Sequence, residues 1–450
     1  MSEIYDFPFS FNILKKYITF TFKRYYGEFI VIGKENIPAD CPIIFAPNHT
    51  NALMDALAVH IVAPNGIPVI FLARADIFKN RTLAKILNFM KIMPAFRMRD
   101  GVENLGKNSE IFDCCIEVLN HNKALGIMPE GNQEIERKLR PLVKGIFRIA
   151  FATQQKHGNT PTVKIIPIGL DFGDTIKFGK HIIITISKPI EVSDYMDEYA
   201  INPVIATNQI RDRLRDDLSA ISLNLATDKY YESFEIATEV CNTAILDKLK
   251  LPNYTVNRYV ARLKIADKLV EIEKKEPSKA ELLDAYCSEY SNILKEINLH
   301  NWVLEQAPFK SFTLISDGLL LFWTVPLFVI GSILNFLPFF LPVFLREKVF
   351  KTEFKGFFSS LQYALGIIIF PIFYIIQTFL FIGLTGYPWW MGTLFFFVQY
   401  PFGKWALKWN SIAKKLKAKY RFNKLTRLNS NALKQAQELR KQIIDLVVIQ

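Results

Sequence analysis

The segment NHTNALMD carries a histidine and an aspartate six positions apart, His49 and Asp55. Six residues of a continuous helix advance by about 600°, which leaves the two side chains roughly 240° apart. The pair can therefore meet only if His49 lies on a loop before the first turn, and Thr50 and Asn51 are residue types that cap a helix there. Asp55, one turn inside the helix, would then accept a hydrogen bond from the imidazole.

A carboxylate that holds a histidine in one tautomer is half of the Ser-His-Asp arrangement, in which the imidazole takes a proton from a hydroxyl. No serine is obviously supplied here, so the attacking hydroxyl is expected to belong to the substrate. The spacing alone is a weak signal, because a single His–Asp pair more often supports structure than chemistry.

Three further segments end apolar runs with residues that suit ligand binding. In IMPEGNQE, Glu130 offers a carboxylate and Gly131 lets the backbone approach a ligand; the alternative is an ordinary strand-to-loop turn. In MPAFRMRD, Arg97 and Arg99 suit a phosphate, which a planar guanidinium can contact in two places; the alternative is a solvated pair. In IIPIGL, Pro167 is expected to end a strand.

Together these four segments resemble the blocks of the lysophospholipid and glycerol-phosphate acyltransferase family, written NH-x4-D, G-x-I-P-x-x-R, F-P-E-G-T-R and V-I-P-V. They occur in the family's order at compatible spacings, and the resemblance covers roughly Ile30 to Ser193. It implies an enzyme with an α/β, mixed-sheet catalytic domain. The implied reaction transfers a fatty acyl chain from acyl-CoA or acyl carrier protein to glycerol 3-phosphate or 1-acylglycerol 3-phosphate.

The sequence departs from the family pattern at three places. Five residues, not four, separate His49 from Asp55, which resembles a branch that includes fungal glycerol-3-phosphate and dihydroxyacetone-phosphate acyltransferases with membrane segments after the catalytic domain. In the second block, no glycine precedes the proline, and Phe96 stands where an acid is common. Asn132-Gln133 replaces Thr-Arg in the third block. That replacement changes a side chain that often contacts the acceptor, so the acceptor's identity stays open.

The resemblance also implies a role for each motif residue. His49 acts as general base on the acceptor hydroxyl and Asp55 orients it, with no covalent enzyme intermediate. The acceptor and its phosphate are expected to contact Glu130, Gly131, Arg97, Arg99 and Lys144 of the PLVKG run. Pro167 is expected on the acyl-donor side. No metal and no other cofactor is expected, since the acyl thioester is a co-substrate.

Composition sets the broad class of the protein. A chain of 450 residues is expected to form two or more units, and 50% apolar with 14% aromatic residues excludes a disordered chain, a collagen-like repeat and a small disulfide scaffold. The five cysteines show no metal-ligand spacing, and the adjacent Cys114–Cys115 pair is predicted to be core. Lys15 and Lys16 interrupt the apolar run that a signal peptide would need, so the catalytic domain is expected in the cytosol.

Two long segments contain no charged residue, 28 residues from Gly318 to Leu345 and 48 residues from Gly356 to Gly403. A membrane span needs roughly 20 apolar residues, so we expect an integral membrane protein. Residues 403–450 carry 12 Lys and Arg against 2 acidic residues. A solvated tail and a nucleic-acid patch are alternatives, but a position beside a span favours a cytosolic tail attracted to anionic lipid.

These patterns predict five regions along the chain. They are an interfacial amphipathic helix at 1–28 (or a helix packed on the next domain), the α/β catalytic domain at 29–193, a helical extension at 194–310, transmembrane hairpins at 311–403 and a basic cytosolic tail at 404–450. Asn335, Pro338 and Pro342 are expected to break the first apolar segment, and the second is expected to turn near Gly383 to Pro388.

Two other functions fit the same sequence. One is a transacylase that moves acyl chains between phospholipids without a thioester donor, and the other is a non-catalytic membrane scaffold that binds lipid. Membrane lipid and the acyl carrier are the expected partners, nucleic acid is not, and the oligomeric state is open.

Overall fold

The computed structural model describes residues 9–64, 68–79, 81–95, 105–158, 160–351 and 353–449. The chain divides into two compact units. The first comprises Met1–Asn224 with Phe354–Ser360, and the second comprises Leu225–Glu353 with Leu361–Gln450. The first unit holds the α/β domain, and a short segment from far along the chain is part of it.

The first unit is built on a mixed sheet, for which the described residues supply eight strands. These are β1 (Glu28–Ile32), β2 (Ile43–Pro47), β3 (Val69–Arg74), β4 (Ile92–Ala95), β5 (Ala124–Gly126), β6 (Lys164–Phe172), β7 (His181–Ile186) and β8 (Ile190–Glu191). Their order is β1-β7-β6-β2-β5-β3-β4, with β8 also paired to β6. Only β7 and β8 run antiparallel to their neighbour β6. The predicted mixed-sheet α/β fold is therefore confirmed.

Seven helices connect and cover the strands in the described part of this unit. They are α1 (Phe9–Tyr25), α2 (Leu53–Val62), α3 (Arg81–Phe89), α4 (Leu105–Asn120), α5 (Gly145–His157), α6 (Met196–Ile201) and α7 (Pro203–Ile221). The main core lies where α4, α5 and α7 meet one face of the sheet, and Leu119, Phe147, Phe151 and Leu214 belong to one buried cluster with Ile44 of β2. Side chains alternate across a strand, so the other face is left for α1 and α2.

Helix α1 is amphipathic, and one of its sides packs on the α/β domain. Its buried side chains are Phe11, Ile18 and Phe22, whereas Phe9, Ile13 and Phe20 are exposed. The ring of Phe11 meets the His60 ring of α2 edge-on at 5.9 Å. The helix therefore packs on the domain and also presents an apolar outer side.

The second unit is helical throughout its described secondary structure. Its helices are α8 (Tyr231–Val240), α9 (Asn242–Lys248), α10 (Thr255–Lys275), α11 (Pro277–Glu296), α12 (Asn301–Gln306), α13 (Ser311–Trp323), α14 (Val325–Phe344), α15 (Phe358–Thr385, whose first turn belongs to the first unit), α16 (Trp389–Arg427) and α17 (Asn431–Ile444). Among the described residues, two segments are long and apolar enough to cross a membrane, Val325–Val349 and Lys355–Thr385.

The expected helix break near Asn335 is wrong, because α14 continues through Pro338 and Pro342 to Phe344. A proline at 338 frees the carbonyl of Leu334, which no longer receives a backbone N–H. The side-chain Nε2 of Gln377 donates a hydrogen bond to that carbonyl at 2.9 Å. A neighbouring helix thus supplies the missing donor. The turn expected near Gly383 to Pro388 in the second apolar segment is confirmed, because α15 ends at Thr385 and α16 begins at Trp389.

Candidate active site

The histidine motif follows β2 directly and is fixed to the neighbouring strand β6. Asn48 accepts a hydrogen bond from the N–H of Leu170 at 2.7 Å, and its Nδ2 donates to the Leu170 carbonyl at 3.2 Å. The backbone N–H of Asn48 also donates to the carbonyl of Ile168 at 3.2 Å. These bonds fix the backbone of Asn48 on β6. The backbone of His49, which follows directly, is therefore held at the end of a rigid strand.

His49 and Asp55 are in direct contact. The Nδ1 of His49 lies 2.9 Å from Oδ2 of Asp55, which stands in the first turn of α2 and is fully buried. The same Oδ2 accepts the backbone N–H groups of Thr50, at 3.0 Å, and Asn51, at 2.7 Å. The structure therefore places the histidine on the loop and the aspartate one turn inside the helix, as the spacing predicted.

The expected capping by Thr50 and Asn51 is wrong. Helix α2 begins after Ala52, and no side chain caps it there. Ala52 has φ 46° and ψ −118°, a combination that an L-residue rarely adopts. The Asp55 carboxylate reaches back to the loop amides and thereby takes over the role of a cap.

Asp55 determines which nitrogen of the His49 imidazole can accept a proton. Burial raises the pKa of Asp55, while the hydrogen bonds from His49, Asn51 and Thr50 oppose that rise. With a carboxylate on Nδ1, the proton of a neutral imidazole belongs on Nδ1, which leaves the lone pair on Nε2. The His49 side chain is 17% exposed, and its Nε2 has no hydrogen-bond partner among the described residues. It is therefore available to a substrate hydroxyl.

Glu130 braces the backbone of His49 from the next strand. Its Oε1 accepts the His49 N–H at 2.8 Å, and its Oε2 accepts both the backbone N–H and the Nε of Arg140 at 3.1 Å. Arg140 in turn donates from Nη2 to the His49 carbonyl at 3.1 Å. Burial raises the pKa of Glu130, against the opposing effect of these donors. Both carboxylate oxygens are thus committed to the histidine loop and to Arg140.

Sequence reasoning missed Arg140 and Asn48. No motif spacing singles out Arg140, which lies ten positions after Glu130 in a polar segment. Asn48 stood inside the recognised histidine motif, and only the pairing of β2 with β6 shows what its side chain contacts. Both residues act through tertiary contacts that a single sequence does not display.

An open cleft lies beside the histidine loop. It is lined by Asn48, Thr50, Glu130, Ile135, Arg137, Lys138, Leu139, Leu170, Asp171, Phe172, Thr175, Ser222 and Leu223. Arg137 donates from Nη2 to the Phe172 carbonyl at 2.8 Å, and its Nε lies 3.8 Å from Asp171. The two neighbours of His49 and two cationic side chains therefore face the same cleft.

The remaining predicted residues lie in different places. Gly131 has φ +64°, and a Cβ there would lie 3.0 Å from Cγ1 of Val143, so the turn after Glu130 requires glycine. Lys144 precedes the first residue of α5, is exposed, and is not among the residues that line the cleft. Arg97 and Arg99 lie outside the described residues.

Pro167 does not end its strand, contrary to the prediction. It lies inside β6, which continues to Phe172 and pairs Pro167 with Ala46 of β2. On the other side of β6, β8 pairs with residues 164–165 and β7 with residues 168–172. The proline occupies the gap between these two ladders, where its missing N–H interrupts no strand pairing.

No group of three or more His, Cys, Asp or Glu side chains in the described part of the chain is arranged to hold a metal ion. The five cysteines are all free thiols. Of the adjacent pair predicted to be core, Cys115 is fully buried and Cys114 is half-buried against the same core cluster.

Comparison with known proteins finds relatives of the sheet-forming part of the first unit. Residues 28–171 match the family model described as Acyltransferase. Glycerol-3-phosphate O-acyltransferase 1 of Saccharomyces cerevisiae is 27% identical over 252 residues, which are 54% of this chain and 31% of that protein. The chain thus spans less than a third of this relative's length. Residues 28–171 are thus similar to acyltransferases, as the four motifs indicated.

Among solved structures, the 1-acyl-sn-glycerophosphate (LPA) acyltransferase PlsC from Thermotoga maritima is similar to 46% of this chain and to 76% of its own chain. The TM-score is 0.33 and the sequence identity is 17%.

Proposed function

We propose that this protein is a membrane-bound acyltransferase. It transfers a fatty acyl chain from the thioester of CoA or of acyl carrier protein to a hydroxyl of glycerol 3-phosphate or 1-acylglycerol 3-phosphate. The observation that carries the proposal is the His49–Asp55 pair, because Asp55 engages Nδ1 and Nε2 has no hydrogen-bond partner among the described residues. The similarity of residues 28–171 to acyltransferases supports the same reaction class.

In the proposed step, Nε2 of His49 takes the proton of the acceptor hydroxyl while the oxygen attacks the thioester carbonyl carbon. The carbon–sulfur bond then breaks, and the proton passes from the imidazolium to the departing thiolate, which leaves as a free thiol. Asp55 holds the ring and stabilises its transient positive charge. Glu130 and Arg140 act one step further away by fixing the backbone that carries His49.

The acceptor phosphate is proposed to bind on the cationic side of the cleft. Asn132-Gln133 replaces the pair of residues that usually follows Glu-Gly, but Arg137 and Lys138 come shortly after it and line the cleft. Both side chains are cationic and line the cleft, so Arg137 and Lys138 are the proposed phosphate ligands there. Arg97 and Arg99 remain predicted phosphate ligands.

The apolar helices are proposed to hold the enzyme in a bilayer. Helix α15 is 28 residues long, enough to cross the roughly 30 Å hydrocarbon core. Exposed aromatic side chains of the kind found at membrane interfaces lie in the turn after α15 and at the start of α16. They are Tyr387, Trp389 and Trp390. A hairpin of α15 and α16 would leave residues 346–355 and the basic residues after 403 on the same, cytosolic side.

The test is release of free thiol from palmitoyl-CoA by the full chain in detergent micelles, with glycerol 3-phosphate or 1-acylglycerol 3-phosphate as acceptor. Acceptor-dependent release, with the acylated lipid identified by mass spectrometry, supports the proposal and names the acceptor. If neither acceptor causes release, an acyl-carrier-protein donor is tested next. The proposal would be contradicted if neither donor released thiol while the protein moved acyl chains between phospholipid and lysophospholipid. The protein would then be a transacylase.

A further inference from the structure

The histidine loop is contacted by a segment that lies some 300 residues further along the chain. Ser359 Oγ donates a hydrogen bond to Oδ1 of Asn51 at 2.6 Å. Ser360 Oγ donates to the carbonyl of Asn51 at 3.3 Å and accepts the N–H of Leu53 at 3.2 Å. Both serines are buried, with 2% and 5% of their surfaces exposed. They lie in Phe354–Ser360, the short segment that belongs to the first unit.

These bonds surround the strained residue of the loop. Ala52 has a positive φ, a conformation that is unfavourable for a non-glycine residue and persists only when its surroundings enforce it. The Asn51 carbonyl and the Leu53 N–H flank Ala52 on its two sides, and Ser360 holds both. No other side chain in the described part of the chain forms a hydrogen bond with these two backbone groups.

The same residue, Asn51, connects the serines to the catalytic pair. Its backbone N–H donates to Oδ2 of Asp55 at 2.7 Å, the shortest of the three bonds that this oxygen accepts. If Asn51 moved, Asp55 would lose this donor, and the oxygen that orients His49 would shift. A misplacement of about 1 Å far from the chemistry can cost roughly a hundredfold in rate.

We propose that Ser359 and Ser360 are positioning residues for acyl transfer, which hold Asn51 and Ala52 in the conformation that keeps Asp55 on the imidazole of His49. The inference rests on the proposed function. It also means that the first turn of α15 is part of the machinery that sets the active-site geometry.

The experiment compares full-length Ser359→Ala/Ser360→Ala with the wild type in the thiol-release assay. The expected result is a fall in kcat of about 10–100-fold, with the KM values for thioester and acceptor within threefold of wild type. Ser360→Thr, which keeps the hydroxyl, should recover most of the activity that Ser360→Ala loses. Ser316→Ala is the matched control, because among the described residues the Ser316 hydroxyl bonds only to its own helix α13. Its kcat should not change.

A second comparison separates positioning from a loss of stability. In a His49→Ala background, the two serine substitutions should cause no further loss, since the geometry that they maintain serves only His49. An equal loss in both backgrounds, or a wild-type kcat in the double-serine variant, would overturn the inference. A wild-type enzyme without acyl-transfer activity would instead overturn the proposed function, so the two failures are distinguishable.

Discussion

Glu130 and His49 are joined by a hydrogen bond of 2.8 Å from the backbone N–H of His49 to Oε1, although 81 positions separate them. The contact follows from the sheet, because β2 and β5 are parallel neighbours with Phe45 opposite Gly126. The loops that leave the carboxyl ends of these strands therefore meet at one edge. Two motifs that are separate in the sequence become one buried assembly, with Arg140 as its third member.

Replacing Arg140 with Met should destabilise the protein by about 3 kcal/mol, because breaking a buried ion pair leaves the partner's charge uncompensated. Glu130 has only 2% of its side chain exposed, so its carboxylate cannot turn to water. The loss is measured as a decrease in Tm of the detergent-solubilised protein.

Two variants control that measurement. Arg140→Met/Glu130→Gln should recover part of the lost stability, since no unpaired charge remains. Arg148→Met removes an exposed arginine of α5 and should change Tm little. Equal melting temperatures for Arg140→Met and Arg148→Met would contradict the bracing role of the Glu130–Arg140 pair.

Asp55→Asn should lower kcat by roughly 10²–10⁴-fold with little change in KM. The amide oxygen can still accept the loop N–H groups and the Nδ1 proton of His49, but it carries no charge to stabilise the imidazolium. Initial rates at saturating thioester and acceptor measure the effect. Asp113→Asn, on the exposed side of α4, is the matched control. A kcat within threefold of wild type would show that Asp55 does not support His49 in catalysis.

His60 should make the protein acid-sensitive below neutral pH. Burial is the larger cause that lowers the pKa of His60 from 6.5 to about 4, and the positive charge of Lys15 lowers it further. Because the folded state disfavours the proton, this contribution to stability is fully present above pH 6.5 and is lost as pH falls toward 4. A shift of this size corresponds to about 3 kcal/mol.

The measurement for His60 is Tm as a function of pH between 8 and 5. His60→Leu, which cannot be protonated and suits the apolar contact with Phe11, should flatten the decrease below pH 6.5. His121→Leu, at an exposed site, should leave it unchanged. The same decrease in wild type and His60→Leu would assign the acid sensitivity elsewhere.

Lys138→Gln should raise the KM for glycerol 3-phosphate about tenfold, since one charge-assisted hydrogen bond to the phosphate is lost. The KM for the thioester should stay constant. Lys144→Gln tests the sequence-based assignment of Lys144 to the acceptor phosphate. Because Lys144 is exposed and does not line the cleft, its replacement should leave this KM unchanged. A KM increase in Lys144→Gln alone would favour that assignment and contradict the phosphate position proposed here.

The sequence predicted those parts of the structure that local patterns encode. The mixed-sheet α/β fold, the contact of His49 with Asp55 and the similarity of the domain to acyltransferases all followed from the motifs and their spacing. The supports of the site did not, because they join distant segments: Arg140 bonds to His49, and Ser360 bonds to Asn51.

Both errors about prolines have the same physical origin. Proline removes one N–H, and whether that breaks an element depends on a neighbour that the sequence does not identify. Gln377 replaces the donor beside Pro338 in α14, and a gap between two ladders accommodates Pro167 in β6.

The central claim is that His49 is the general base of an acyl-transfer reaction, and its most direct test is the kcat of purified His49→Ala in the thiol-release assay. The account predicts a decrease of roughly 10²–10⁴-fold, with Tm close to wild type because the imidazole is partly exposed. A folded His49→Ala protein that turns over at nearly the wild-type rate would contradict it.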